Sequence, residues 1–473
     1  MKVLRNYLYN AGYQLLSIIV PIITTPYINR VLGPHGVGIN TFTNTIIQYF
    51  ILLGSIGIGL YGNRQIAYTR KDRKKLSVTF WEIQIVKVIS VTLSILLFFC
   101  YLLLFANYKF YMLLQFVNLI AAIFDISWLF EGLEDFKRTV LRNTIVRILS
   151  TVLIFLLVKS KNDTYIYILI IGCSNLFGNL TLWPYLKRLL VSVDFNNLKL
   201  TQHILPSLSL FLPQVALQVY QVLNKTILGV MVSTNASGFY YDADTIIKML
   251  LSLVTAIGTV MLPHMANEFA NGNKNNLKGM MYTSSNITIC ITSAFTFGIA
   301  AIATKFAPIF FGKQFYPVGG AMTLEAPVIF LAGISGVIGT QYLIPTDQIK
   351  HYTASLILGA FTSIILNFIF IPIWALNGAM FATVLSEFSV AVYQIYYVVS
   401  TKQLEVKLLF KDTIKYLFAG LIMFIITYKL DTNLPSSVPL LMLEVVTGGI
   451  IYFVLICVLR TKVYVLLKNI VIK

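Results

Sequence analysis

The sequence predicts an all-α membrane protein: about fourteen transmembrane helices, built as two six-helix lobes in a parallel pseudo-repeat plus two C-terminal helices. Three observations lead there. Of the 473 residues, 57% are hydrophobic and only 11% charged, with a mean hydropathy of +0.79. A soluble chain of this size carries roughly a quarter charged residues. The apolar residues gather into runs of about twenty, the length that crosses a hydrocarbon core at 1.5 Å per residue. The Lys and Arg residues gather in alternate connections between those runs.

Taken in order, the expected spans are 6–29, 37–62, 77–105, 110–131, 143–159 and 164–186. Eight more follow at 207–231, 243–268, 280–303, 318–342, 352–373, 374–400, 412–430 and 438–459. The domain division is 1–200 for the first lobe, 201–400 for the second, and 401–473 for two further helices and a tail. One set of connections holds Lys2, Arg5, the cluster from Arg64 to Lys75, Lys137, Arg138 and Arg142, and then Lys187, Arg188, Lys402, Lys407 and the C-terminal tail. The Lys/Arg count is roughly 24 on that side against about 7 on the other, so both termini are expected in the cytoplasm. The first apolar run continues to Ile28 and reads as a spanning helix rather than a cleaved leader.

The formal net charge of +18 could suggest nucleic acid. Cations placed between apolar stretches instead follow topology and anionic lipid headgroups, so the expected partner is the bilayer and no nucleic acid is expected. Cys100, Cys173, Cys290 and Cys457 all fall in apolar runs, and the four histidines show no ligand spacing, so no metal or cofactor is expected.

Spans one and seven enter the membrane in the same direction, so any repeat must be parallel. Gly38 precedes Asn44-Thr45-Ile46, and Gly238 precedes Asp244-Thr245-Ile246 at the same spacing. Upstream, Asn29-Arg30 mirrors Asn224-Lys225.

Four spans carry polar stripes at helical spacing: Asn6, Asn10, Gln14 and Ser17 in the first, and Asn40, Asn44 and Gln48 in the second. Gln214, Gln218, Gln221 and Lys225 mark the seventh, and Asp244 and Lys248 the eighth. Each amide alone reads as interhelical glue. Together the four stripes are expected to line a hydrated cavity between the lobes. Asp244 and Lys248, one turn apart, also suit a simple helix-surface pair. Among the other buried charges, Asp125 is expected to pair with Lys87 or Arg147, and Glu131, Glu134 and Asp135 with local Arg and Lys. Glu325 and Glu444, near helix ends, are expected to reach water. Pro21 and Pro213 are expected bending points.

Several strings carry a family resemblance: 24–42 (TTPYINRVLGPHGVGINTF), 60–82 (LYGNRQIAYTRKDRKKLSVTFWE) and 124–143 (FDISWLFEGLEDFKRTVLRN). So do 223–246 (LNKTILGVMVSTNASGFYYDADTI) and 366–387 (LNFIFIPIWALNGAMFATVLSE). They resemble the polysaccharide-biosynthesis flippases of the Wzx type, in the multidrug/oligosaccharidyl-lipid/polysaccharide exporter superfamily. The resemblance implies a multi-pass transporter of the bacterial cytoplasmic membrane. It would move polyprenyl-diphosphate-linked oligosaccharide from the inner to the outer leaflet for capsule, exopolysaccharide or O-antigen assembly, alongside a polysaccharide polymerase. It further implies that cations hold the diphosphate, at Arg30 and Lys225 with Lys248 close by. Drive would come from a proton or sodium gradient, with Asp125, Asp244 and His35 as coupling candidates. His35 stands where relatives usually carry an acidic residue. The second span has no arginine, unlike the peptidoglycan-precursor flippases. Two rival readings are a multidrug exporter of the same superfamily, which needs cavity carboxylates, and a membrane polymerase or transferase, which needs a reactive cluster in an outer loop.

Overall fold

The computed structural model describes residues 2–471, with side chains from residue 16 onward other than 136, 212, 213, 216, 217, 219–221, 257, 259, 260, 470 and 471. Asn6, Asn10, Gln14 and Gln221 therefore lie outside the described side chains, as does Pro213. The chain divides into two compact units, residues 1–226 and 227–473.

Helices follow one another as α1 (Lys2–Ser55), α2 (Ile58–Thr69), α3 (Arg73–Leu104), α4 (Lys109–Phe124), α5 (Ser127–Gly132), α6 (Phe136–Leu157), α7 (Thr164–Leu180), α8 (Leu186–Leu189) and α9 (Thr201–Met231). They continue as α10 (Thr234–Ala270), α11 (Lys274–Phe310), α12 (Tyr316–Glu325), α13 (Pro327–Ile338), α14 (Ile349–Ser400), α15 (Val406–Leu409), α16 (Thr413–Asn433), α17 (Val438–Val458) and α18 (Lys462–Val471). No strand occurs among the described residues. Among the described residues, eight helices are long and apolar enough to cross a membrane, or ten if each of two bent pairs counts as one span. By length and apolarity alone, the count stops short of the fourteen expected.

Two of these helices are too long to be single spans. α1 has 54 residues, which at 1.5 Å each would run about 80 Å, against a hydrocarbon core of about 30 Å. It breaks at Gly33 (φ 70°, ψ 176°), a left-handed conformation that glycine adopts without a Cβ clash, and Pro34 follows. α14 has 52 residues and breaks at Ala375 (φ 49°, ψ −122°). The Gly33 break falls in the expected connection between the first two spans, whereas Ala375 lies at the start of the expected span 374–400. Non-helical backbone inside α1 is confined to Gly33; Pro21 keeps helical φ and ψ. The offset that relates Gly38 to Gly238 also carries the Gly33 break close to the gap between α9 and α10. Asn29 and its repeat counterpart Asn224 are both buried.

In the first unit, the core gathers where α2, α3 and α5 meet, with Phe80 stacked on Trp128 at 5.5 Å. Gly132 permits that approach: a Cβ there would stand 2.6 Å from the Asn63 carbonyl oxygen. The second unit is organised on α11. Ser284, Ser285, Thr288, Thr292 and Ser293 are buried along it, and such small residues let neighbouring helices come close. Tyr452 donates from α17 to the Cys290 carbonyl at 2.8 Å, and Ser285 donates to the Leu409 carbonyl at 2.8 Å.

Candidate functional site

The site begins with a break in the fourth span. α4 ends at Asp125, whose backbone is extended (φ −73°, ψ 108°). The Asp125 carboxylate accepts from the backbone N–H and hydroxyl of Ser127 (3.0 and 2.6 Å), which satisfies the first free N–H of α5. The break also orphans the last carbonyls of α4, and inside a membrane each needs a partner. Asn179 donates to Ala121, Gln84 to Ile123 and Trp183 to Phe124, at 2.7, 2.8 and 2.8 Å. The Lys87 ammonium donates to the Asp125 carbonyl at 2.5 Å and lies 4.0 Å from its carboxylate. The expected pairing of Asp125 is thus with Lys87. Arg147 instead donates to the Ser17 hydroxyl at 2.9 Å.

Around this break lie two adjoining chambers of the first unit, about 300 and 260 Å³, which share Gln48, Ile51, Ser55, Lys87, Asp125 and Ser127. One extends to Arg142, Asn143, Asn118, Asn175 and Asn179, the other to Glu131, Gln214 and Gln218. The Asp125 side chain is 41% exposed to this space, while that of Lys87 is 5% exposed. Arg142 donates to Asn179 at 2.9 Å and to Asn143 at 2.8 Å. The walls are therefore dense in amides, with two cations and two carboxylates among them.

Of the residues expected from the sequence, Gln48, Gln214, Gln218 and Asp125 meet on these walls. Asn40 and Asn44 do not line either chamber. Asn40 accepts from Gln115 at 3.3 Å, which begins an amide ladder continued by Asn118 to Gln115 (2.9 Å) and Asn175 to Asn118 (3.0 Å). Asn44 accepts from Gln48 at 3.4 Å. Here the glue reading describes what the amides do. Arg30 and His35 are exposed and Lys225 is half-buried, and none of the three lines a chamber wall. In the second unit, Lys248 pairs with Asp244 at 2.8 Å, with Glu325 and Glu387 in electrostatic reach.

Two expectations are corrected. Glu325 and Glu444 do not reach water; each is 1% exposed, because neighbouring helices cover these ends. Glu131 makes no ion pair at contact distance among the described residues: it accepts from Asn63 at 3.3 Å with Arg142 in electrostatic reach, while Glu134 takes Arg70 and Asp135 takes Arg138. Arg142, Asn118, Asn175 and Asn179 were missed as wall residues. Their signal was present, since Gln115/Asn118 and Asn175/Asn179 repeat the three- and four-residue spacing that marked the other stripes.

A multi-pass helical fold with a polar chamber held inside one unit is the build of a membrane transporter rather than an enzyme. Family comparison agrees: the family described as "Polysaccharide biosynthesis protein" matches residues 3–269, and that described as "Lipid II flippase MurJ" matches 140–459. The chain belongs to the polysaccharide biosynthesis protein family. It is 23% identical over 409 residues to a "Putative O-antigen transporter" of Escherichia coli (strain K12), covering 85% of this chain and 97% of the relative. A protein of the same name from Shigella dysenteriae is 23% identical over 392 residues, covering 80% and 96%. Among solved structures, the lipid II flippase MurJ in an inward closed conformation superposes with a TM-score of 0.69 at 15% identity, covering 96% of this chain and 98% of that one. An inward-facing multidrug resistance MATE transporter superposes with a TM-score of 0.60 at 13% identity, covering 82% and 99%. These superpositions speak for a shared fold.

Proposed function

We propose that the chain is a flippase for a polyprenyl-diphosphate-linked oligosaccharide, moving it from the inner to the outer leaflet of the bacterial cytoplasmic membrane by alternating access, for capsule, exopolysaccharide or O-antigen synthesis. The observation that carries the reading is the amide-dense chamber around Lys87, Asp125 and Arg142. Sugar hydroxyls both donate and accept, and so do Asn and Gln, whereas a flat lipophilic drug would leave those amides unsatisfied. Arg142, and Arg30 and Lys225 on the family resemblance, supply positive charge for the diphosphate, which an arginine can grip with two bonds. The relatives named for O-antigen and lipid II support a lipid-linked glycan of this class. A second reading, export of cationic drugs, draws on Asp125 and Glu131 standing on the same walls.

The test is translocation in liposomes that carry a fluorescent polyprenyl-diphosphate oligosaccharide, read with a membrane-impermeant quencher. Wild type flips the lipid, and Arg142→Ala and Lys225→Ala each slow it by about tenfold or more, as expected for a lost charge-assisted bond of about 1.5–3 kcal/mol. Unchanged flipping in Arg142→Ala would remove the chamber from the mechanism. A wild type that flips no glycan lipid but lowers drug accumulation in cells would favour the second reading.

A further inference from the structure

A second charged cluster lies in the other unit, well away in sequence from the chamber residues. Asp431 sits near the C-terminal end of α16 and Glu444 two turns into α17, and they are 2% and 1% exposed. The two side chains meet carboxyl to carboxyl. Lys305 of α11 lies 3.8 Å from Asp431 and donates to the Leu434 carbonyl at 2.8 Å, and Thr304 donates to Asp431 at 3.4 Å. Asp431 Oδ1 and Glu444 Oε2 are buried with no donor among the described residues. One turn further along, Thr427 Oγ1 is likewise buried without a partner, and it faces Gly448, where a Cβ would come within 3.0 Å. The missing Cβ lets α17 press against α16 at this level.

The charges do not balance as they stand. Two carboxylates against one ammonium leave a net negative charge in a buried site, and two carboxylate oxygens repel unless a proton lies between them. One proton makes the cluster neutral, converts an orphaned oxygen into a donor, and gives the facing carboxyl its missing bond. A metal ion would need several more oxygens and would sit beside the Lys305 ammonium. The charges that act on the pair are Lys305 and each carboxyl on the other. Lys429 on α16 is exposed, and Lys462 lies by Asp412 at the opposite end of that helix.

We propose that Asp431, Glu444 and Lys305 form an exchangeable proton-binding site in the second unit, in which the two carboxyls share one proton taken from water and return it to water. On the expected cytoplasmic placement of both termini, the end of α16 and the start of α17 would face outward and the site would load from the external side. Release leaves two like charges facing across the tight α16–α17 contact, which pushes the two helices apart. Asp431 and Glu444 thus join the chain's buried acids in a role that the spacing of the polar stripes does not reach.

The test needs no substrate, so it stands apart from the flippase reading. Purified full-length protein in lipid nanodiscs is followed by infrared difference spectroscopy through a pH change, with wild type beside Glu444→Gln, Asp431→Asn and Lys305→Met. The site predicts a protonated-carboxyl stretch in wild type that fades as pH rises and is absent from both amide variants. In Lys305→Met the same band persists to higher pH, by about one pH unit or more, because the cation that favours the ionised form is gone. A band that does not change with pH, or that survives in both amide variants, overturns the proposal. Loss of the band on adding sodium at fixed pH would also overturn it, in favour of a metal ion.

Discussion

The second helix of each sequence repeat carries a side-chain pair four residues apart, and the two pairs are chemically opposite. In the first unit Gln48 donates to Asn44 at 3.4 Å; in the second Lys248 donates to Asp244 at 2.8 Å. The backbone register is conserved and the bond is the same, but amides have become ions. The neighbourhoods follow suit. Around Gln48 lies an open chamber whose Asp125 carboxylate is 41% exposed. Around Lys248 lie acids, of which Glu325 is 1% exposed. The two pairs thus share a helical spacing while their neighbourhoods differ. Neutral donors and acceptors suit a changing polar ligand. Paired charges suit a fixed balance, since an unpaired charge beside a buried acid such as Glu325 costs far more than in a wet cavity.

Three perturbations sharpen or break that contrast. The largest expected effect is Lys87→Met, which leaves both the carbonyl and the carboxylate of Asp125 without their cation. We expect a loss of about 3 kcal/mol of stability, at the low end for a broken buried pair because Asp125 also meets the chamber. Thermal unfolding in detergent measures it, and Lys87→Met/Asp125→Asn should recover part of the loss; strictly additive losses would mean that the two groups are uncoupled. Next comes Gln115→Leu, which cuts the ladder between Asn40 and Asn118 and should cost about 1 kcal/mol with flipping rate retained. A collapse of flipping in a stably folded Gln115→Leu protein would make the ladder part of the transport path rather than glue. Smallest is Asp244→Asn/Lys248→Gln, which gives the second unit the amide pair of the first. Lys248 is half exposed, so the double change should shift stability by only about 0.5 kcal/mol. A loss several times larger would show that the pair is bound into the acid cluster of Glu325 and Glu387.

Much of the helical plan was legible because bilayer thickness and hydrogen bonding dictate it. Apolar runs of spanning length and the glycine-proline pair at Gly33-Pro34 are local signals, and α1 breaks at that pair, whereas Gly38 and Gly238 both lie inside continuous helix. The site was legible in part. Period-of-helix spacing found Gln48, Gln214 and Gln218 but gave the same weight to Asn40, which serves the ladder. Asp125 was visible as a buried acid, yet Arg142 read as one more topological cation.

What the sequence determined by itself is therefore the helical membrane class, the family and the polar faces, since these follow from composition, from periodicity and from the motifs the chain carries. Only the tertiary structure decided which polar faces meet a cavity and which meet one another. It also decided that Glu325 and Glu444 are buried, although both stand near helix ends. The physical reason is that spacing along a helix fixes the direction of a side chain, whereas its burial and partners are set by neighbouring helices far away in sequence. Asp125 illustrates the limit. Its role comes from a helix break that turns a carbonyl toward Lys87, thirty-eight residues earlier in the chain.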